Sequence, residues 1–121
     1  MSAQVEYVSD GIVTMKVSGK LAEPELVQAQ QAMAEIIRAQ GKVRILVVAE
    51  NFSGWEKGGD WADLSFQEEF DPYIEKMAIV GDKRWEELAL IFVASGLRKF
   101  PIEYFATGEQ DSARAWLKAD I

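Results

Sequence analysis

Apolar and polar positions along the chain fall into two alternating periods. Val5 to Val8 and Ile12 to Val17 are short β-rich runs, and Ser9-Asp10-Gly11 between them is a turn signal, so they predict a hairpin. Gly19 is expected to break the second strand. Leu26, Ala29, Met33, Ile36 and Ile37 then recur at helical spacing. Pro24 sits where a first-turn proline is tolerated, Arg38 falls in the last turn, and Gly41 supplies the stop, which predicts a helix over 23–39.

Arg44 to Ala49 is a continuous apolar, β-branched run, the mark of a central strand buried on both faces. Residues 50–55 read as leaving that strand, and 56–59 as a flexible loop. A second helix is expected over 60–73, capped by Asp60 or Gly59, with Trp61, Leu64, Phe66, Phe70, Tyr73 and Ile74 on its apolar side. Residues 76–80 read as another buried strand, and Asp82 as the cap of a third helix over 83–94. A last strand, 102–105, and a last helix, 109–118 with Ala113, Trp116 and Leu117 facing in, complete the chain.

The order is β-β-α-β-α-β-α-β-α. Strands alternating with helices predict an α/β domain with a mostly parallel five-stranded sheet, helices packed on it, and the first strand antiparallel at an edge. The 121 residues suit one domain, 1–121, without internal repeat or linker.

Composition narrows the chemistry. The chain has no Cys and no His. That excludes disulfides, Cys or His nucleophiles, thiolate or imidazole metal sites and histidine acid–base work. Ser53 and Ser65 therefore lack a histidine base. Gly58-Gly59-Asp60 follows a strand, as an anion-binding loop would, but neither the phosphate-loop nor the dinucleotide fingerprint is present. It reads as a turn or lid. The carboxylate pairs Asp60/Asp63 and Glu68/Asp71 suit exposed helix turns better than a glycosidase couple or a hard-cation site. The expectation is no enzyme, no cofactor and no metal.

The net charge is -7, and all of it lies in Glu50 to Glu75, where eight acids meet one base, Lys57. Such a field disfavours nucleic acid and anionic membrane and attracts a cationic partner, although a solvated acidic face is the simpler reading. No basic n-region precedes an apolar run, and no stretch reaches 18 apolar residues, so neither a signal peptide nor a transmembrane segment is expected. Cytoplasm is the expected compartment.

Two features ask for a function. Six aromatics fall between Phe52 and Tyr73, many for a 26-residue acidic stretch; core packing alone is the first reading, and a groove or apolar pocket lined by those left over is the second. Trp85 is expected beside Trp55 or Trp61. The run 88–94 is apolar all round, so a helix there has no polar side for water. Homodimer contact through Leu90, Ile91, Val93 and Ala94 is the leading explanation, ahead of internal burial and of lipid contact.

Three fragments carry a family resemblance: Phe52-Ser53-Gly54-Trp55 after the central strand, Ala78-Ile79-Val80-Gly81-Asp82 through Trp85, and Glu103-Tyr104-Phe105 followed by Ala113-Arg114-Ala115-Trp116-Leu117. In this order they resemble the SpoIIAA-like family, also described as STAS/SEC14-domain proteins, in its small bacterial branch. The resemblance implies the same fold over nearly the whole chain. In the regulatory members a serine in an Asp-Ser-Ser-Gly motif is phosphorylated and controls binding to a kinase-like anti-sigma factor. The matching stretch here, Gly58-Gly59-Asp60-Trp61, has no serine, and Ser53 and Ser65 lie off the motif. The SEC14-like side of the fold binds lipids between sheet and helices, which would set a ligand among Phe52, Trp55, Trp61, Phe66, Trp85 and Phe92. The chain thus reads as a non-enzymatic protein-interaction or regulatory domain without that serine switch. The alternative is a carrier or sensor of a small apolar or lipid-like ligand.

Overall fold

The computed structural model describes residues 2–58, 65–94 and 97–119. In chain order the elements are β1 (Ala3–Ser9), β2 (Ile12–Leu21), α1 (Glu23–Gln40), β3 (Val43–Trp55), α2 (Ser65–Phe70) running into a 3-10 turn (Asp71–Tyr73), β4 (Ile74–Gly81), a 3-10 turn (Lys83–Trp85) opening α3 (Glu86–Phe92), β5 (Ile102–Ala106) and α4 (Gln110–Lys118). One five-stranded sheet has the order β1-β2-β3-β4-β5. β1 is the antiparallel edge, and every other pairing is parallel. The expected order, sheet and edge are all present.

Local chemistry explains the boundaries. Asp10 and Gly11 both take positive φ (55° and 75°) between the paired Ser9 and Ile12, as a tight two-residue hairpin turn demands. Pro24 opens α1, and the amide of Gly41, at φ +84°, closes it on the Ile37 carbonyl. The Asp82 carboxylate accepts from the Arg84 amide at 3.0 Å and starts the turn into α3.

The sheet has two covered faces, and strand alternation assigns each side chain to one. Ile45, Met77 and Ile79 point towards α1, with Met33 and Ile37 above them. Leu46, Val48, Ala78 and Val80 point to the other face, where α4 sets Ala113 and Leu117, both fully buried. Continuous burial of neighbouring residues is why β3 and β4 read as unbroken apolar runs.

α4 is held at its C-terminal end by two cations from adjacent strands. Lys76, only 2% exposed, donates Nζ to the carbonyls of Trp116 (2.6 Å) and Ala119 (2.8 Å) and lies over the Trp116 ring. Its register partner Arg44 donates to the carbonyls of Leu117 and Ala119. Cations there satisfy the carbonyls a helix end leaves over and complement its dipole.

Three expectations are corrected. Gly19 does not end β2: at φ +61° it sits in a bulge and the strand continues to Leu21. Residues 50–55 do not leave the sheet. They prolong β3, because two bulges absorb the irregular spacing. β4 begins at Ile74 rather than Lys76. Of the helix expected over 60–73, 59–64 lie outside the described residues, and the part described tightens into the 3-10 turn at Asp71-Pro72.

Candidate functional site

The helices α1, α2 and α3 share one face of the sheet but do not close over it. Between them lies a cavity of about 740 Å³. Met15, Val17, Ile45, Met77 and Ile79 form its floor, α1 gives Leu26, Met33 and Ala34, and α3 gives Ala89 and Phe92, with Val93 just beyond its end. The space is half open to solvent, a cleft rather than a sealed void. It falls within the roughly 300–1,000 Å³ range of ligand pockets.

One end of the cavity is aromatic, and the bulges in β3 put it there. Ser18 pairs with Glu50, but Gly19 pairs with Phe52 and Lys20 with Gly54, so β3 carries one extra residue twice. Each extra residue reverses the alternation. As a result Ala49, Phe52 and Trp55, three apart, all line the same cavity. Asn51 (φ 51°) and Gly54 (φ 110°) supply the left-handed backbone. A β-carbon at Gly54 would meet the Trp85 ring at an ordinary 3.6 Å, so it is the positive φ, not space, that asks for glycine there.

The rings pack edge to face. Phe52 lies 5.0 Å from Trp55 and 5.1 Å from Trp85, and the two indoles are 6.0 Å apart at 81°. Phe92 lies 5.1 Å from Trp55. The indole N–H groups of Trp55 and Trp85 are buried and have no hydrogen-bond partner among the described residues.

Arg38, Glu69, Arg98 and Tyr104 of the cavity's lining are engaged by partners. Arg98 makes a two-point contact with Asp71, Nε to Oδ2 at 2.9 Å and Nη2 to Oδ1 at 2.5 Å, and also donates to the Val93 carbonyl. Both charges are largely buried, with side chains 7% and 16% exposed. This pair ties the end of α2 to the chain beyond α3. Arg38 of α1 reaches Glu69 at 3.6 Å and lies over the Phe70 ring. Glu23, Glu35 and Glu69 stand around the cavity's edge. The Tyr104 hydroxyl donates to the Asp82 carbonyl at 2.7 Å, and burial, then the Asp82 and Glu86 charges, raise its pKa above the usual 10.0.

Of the six residues expected around a ligand, Phe52, Trp55, Phe66, Trp85 and Phe92 all line this cavity, and Trp61 lies outside the described residues. Phe66 stacks on Phe70 at 5.0 Å. Of the residues expected at a dimer surface, Ile91 is 67% exposed, Leu90 and Ala94 are half-buried, and Val93 packs on the core. Leu88 and Leu97, outside that expectation, are 50% and 87% exposed.

Sequence reasoning missed Asp71–Arg98, since a single acid in an acidic run carries no sign of its partner 27 residues on. The acidic run is largely solvated but paired, with Glu50, Glu69 and Glu75 exposed and only Asp71 largely buried. Glu50, Glu69, Asp71 and Glu75 pair with Lys16, Arg38, Arg98 and Arg44 from other elements. Among the described residues no three carboxylates cluster as a metal site, and no helix is long and apolar enough to cross a membrane.

A solved structure of an uncharacterised protein from the DUF3478 family with a SpoIIAA-like fold, from Shewanella loihica PV-4, superposes with a TM-score of 0.72 at 19% identity, covering 95% of this chain and 91% of that one. That likeness concerns the fold alone. No curated protein matches this sequence. The SpoIIAA-like family profile matches residues 12–118, nearly the whole chain, and with the sheet order and helix placement above, the protein belongs to the SpoIIAA-like family.

Proposed function

We propose that this chain is a non-enzymatic binding domain that carries or senses a small apolar, lipid-like molecule, held between the sheet and α1, α2 and α3. The carrying observation is the cavity of about 740 Å³ with apolar walls and an aromatic end. Nothing in the sequence offers a histidine or cysteine for covalent or acid–base chemistry, and the buried carboxylate of Asp71 is spent on Arg98. The phosphorylation switch of regulatory relatives has no serine at the matching stretch 58–61, so a signal would come through occupancy of the cavity. Titration with the neutral fluorescent probe N-phenyl-1-naphthylamine tests this. A saturable enhancement at one probe per chain, lost when Ala34→Phe fills the cavity, is the expected result. Non-saturating enhancement, unchanged in that variant, would contradict it.

A second reading rests on the outer side of α3. Leu88, Ile91 and Leu97 expose a run of apolar surface that water disfavours. We propose that this side is the homodimer contact. Sedimentation velocity across micromolar to millimolar protein should show a dimer that Ile91→Lys disperses. A monomer throughout would remove this reading and leave the cavity untouched.

A further inference from the structure

The cavity's walls are apolar, but its mouth is not. The exposed members of its lining are Gln31, Glu35 and Arg38 on α1, Glu69 on α2 and Phe92 on α3, so the opening to water lies among them. Four of these five side chains are polar, and they come from α1 and α2. The aromatic end offers a polar group less. The indole nitrogens of Trp55 and Trp85 are sealed from solvent, and the Tyr104 hydroxyl already donates to the Asp82 carbonyl. An amphiphile therefore lays its tail on the floor and towards the aromatic end, and leaves its head at the mouth. A charged head kept there stays hydrated on its open side and escapes the cost of burial.

The sign of charge around that head follows from the lining. Arg98 is neutralised by Asp71, which leaves the carboxylates of Glu23, Glu35 and Glu69 against the guanidinium of Arg38. Arg38 is itself shared with Glu69. The stretch 59–64, outside the described residues, adds Asp60 and Asp63 to the sequence and no Lys or Arg. An anionic head would have to draw Arg38 away from Glu69 and would still face the other acids. An uncharged head would make no use of this field. An ammonium gains from it.

Resting on the cavity as a ligand site, we infer that its occupant is a cationic amphiphile, an apolar tail bearing one ammonium group, with the ammonium held at the mouth beside Glu35 and Glu69. The apolar walls supply affinity, and the excess of carboxylates at the mouth selects the head.

Displacement of N-phenyl-1-naphthylamine by 1-decylamine, 1-decanol and decanoate, each below its micelle-forming concentration, tests this. At low salt the amine should bind about fivefold tighter than the alcohol, with decanoate weakest, and high salt should shrink the spread. Glu35→Gln should lower the amine's advantage by about twofold, and Arg38→Gln should raise it. Glu103→Gln makes the same change in net charge on the other side of the sheet, since its register partner Ala78 faces α4, and should leave the advantage as it was. Binding of the alcohol or of decanoate as tight as that of the amine overturns this inference while leaving the cavity a ligand site. An advantage that Glu103→Gln lowers as much as Glu35→Gln does is the general pull of a chain of charge -7, and overturns it too. If neither the fluorescent probe nor any of the three binds, the ligand-site reading falls and this inference with it.

Discussion

At the scale of single residues, the Asp71–Arg98 pair is where charge is most deeply committed. Two opposite charges, largely out of water and joined at two points, are costly to separate because the survivor stays buried and unpaired. Asp71→Asn should therefore lower the unfolding free energy by about 3–5 kcal/mol in urea titrations. Asp71→Asn combined with Arg98→Met should cost less than the sum of the single changes, since no charge is then stranded. Additive losses would show that the two side chains act separately. Tyr104 gives a pH signature. Its folded pKa is raised, so its neutral hydroxyl is kept in the folded chain while the unfolded chain ionises near 10. The folded state then binds more protons, and stability falls as pH rises through that point. Urea midpoints above pH 10 should drop more steeply for the wild type than for Tyr104→Phe. Parallel curves would mean that the phenol does not titrate differently in the two states. Glu25 shifts the other way: hydrogen bonds from the Ser2 side chain and then from the Ser2 amide, at 2.7 Å, hold its carboxyl below the usual range, so its contribution is present at neutral pH and lost on acidification.

At the scale of elements, α4 shows how a short helix is fixed. Its inner side rests on β3 and β4, and its last carbonyls accept from Lys76 and Arg44. Lys76→Met removes a buried ammonium, takes the donor from the Trp116 carbonyl and leaves the Ala119 carbonyl to Arg44. The expected loss is about 2–3 kcal/mol, with hydrogen exchange speeding first in α4. A uniform loss across the sheet, with α4 no more affected than the rest, would contradict the capping role. Legibility in the sequence also divides by element. β3 and β4 are plain because residues buried on both faces leave an unbroken apolar run from Ile45 to Ala49 and from Met77 to Val80. The end of α1 is plain because Gly41 must take positive φ. The prolongation of β3 is hidden because each bulge shifts the period by one, so Phe52 and Trp55 look like loop aromatics when they are strand residues aimed at one cavity. Lys76 reads as the polar start of a strand, since its two acceptors lie forty residues and more away.

At the scale of the whole molecule, the two faces of the sheet differ in how completely they are covered. α4 closes its face with Ala113 and Leu117 seated among five buried strand residues, Ile12, Leu46, Val48, Ala78 and Val80. On the other face α1 packs on the larger buried core, and polar contacts from Arg38 to Glu69 and Arg98 to Asp71 link α1, α2 and the chain after α3 around the space left beside it. The aromatic surplus is visible in the sequence, but a cavity is an absence of atoms and leaves no period to read. The central claim is that this space holds a small apolar molecule. Native mass spectrometry of freshly purified protein at low collision energy tests it most directly. The account predicts a reproducible added mass on the chain, or on its dimer, that disappears after extraction with organic solvent. Bare protein in every preparation, together with no uptake of the neutral probes offered to it, would contradict it.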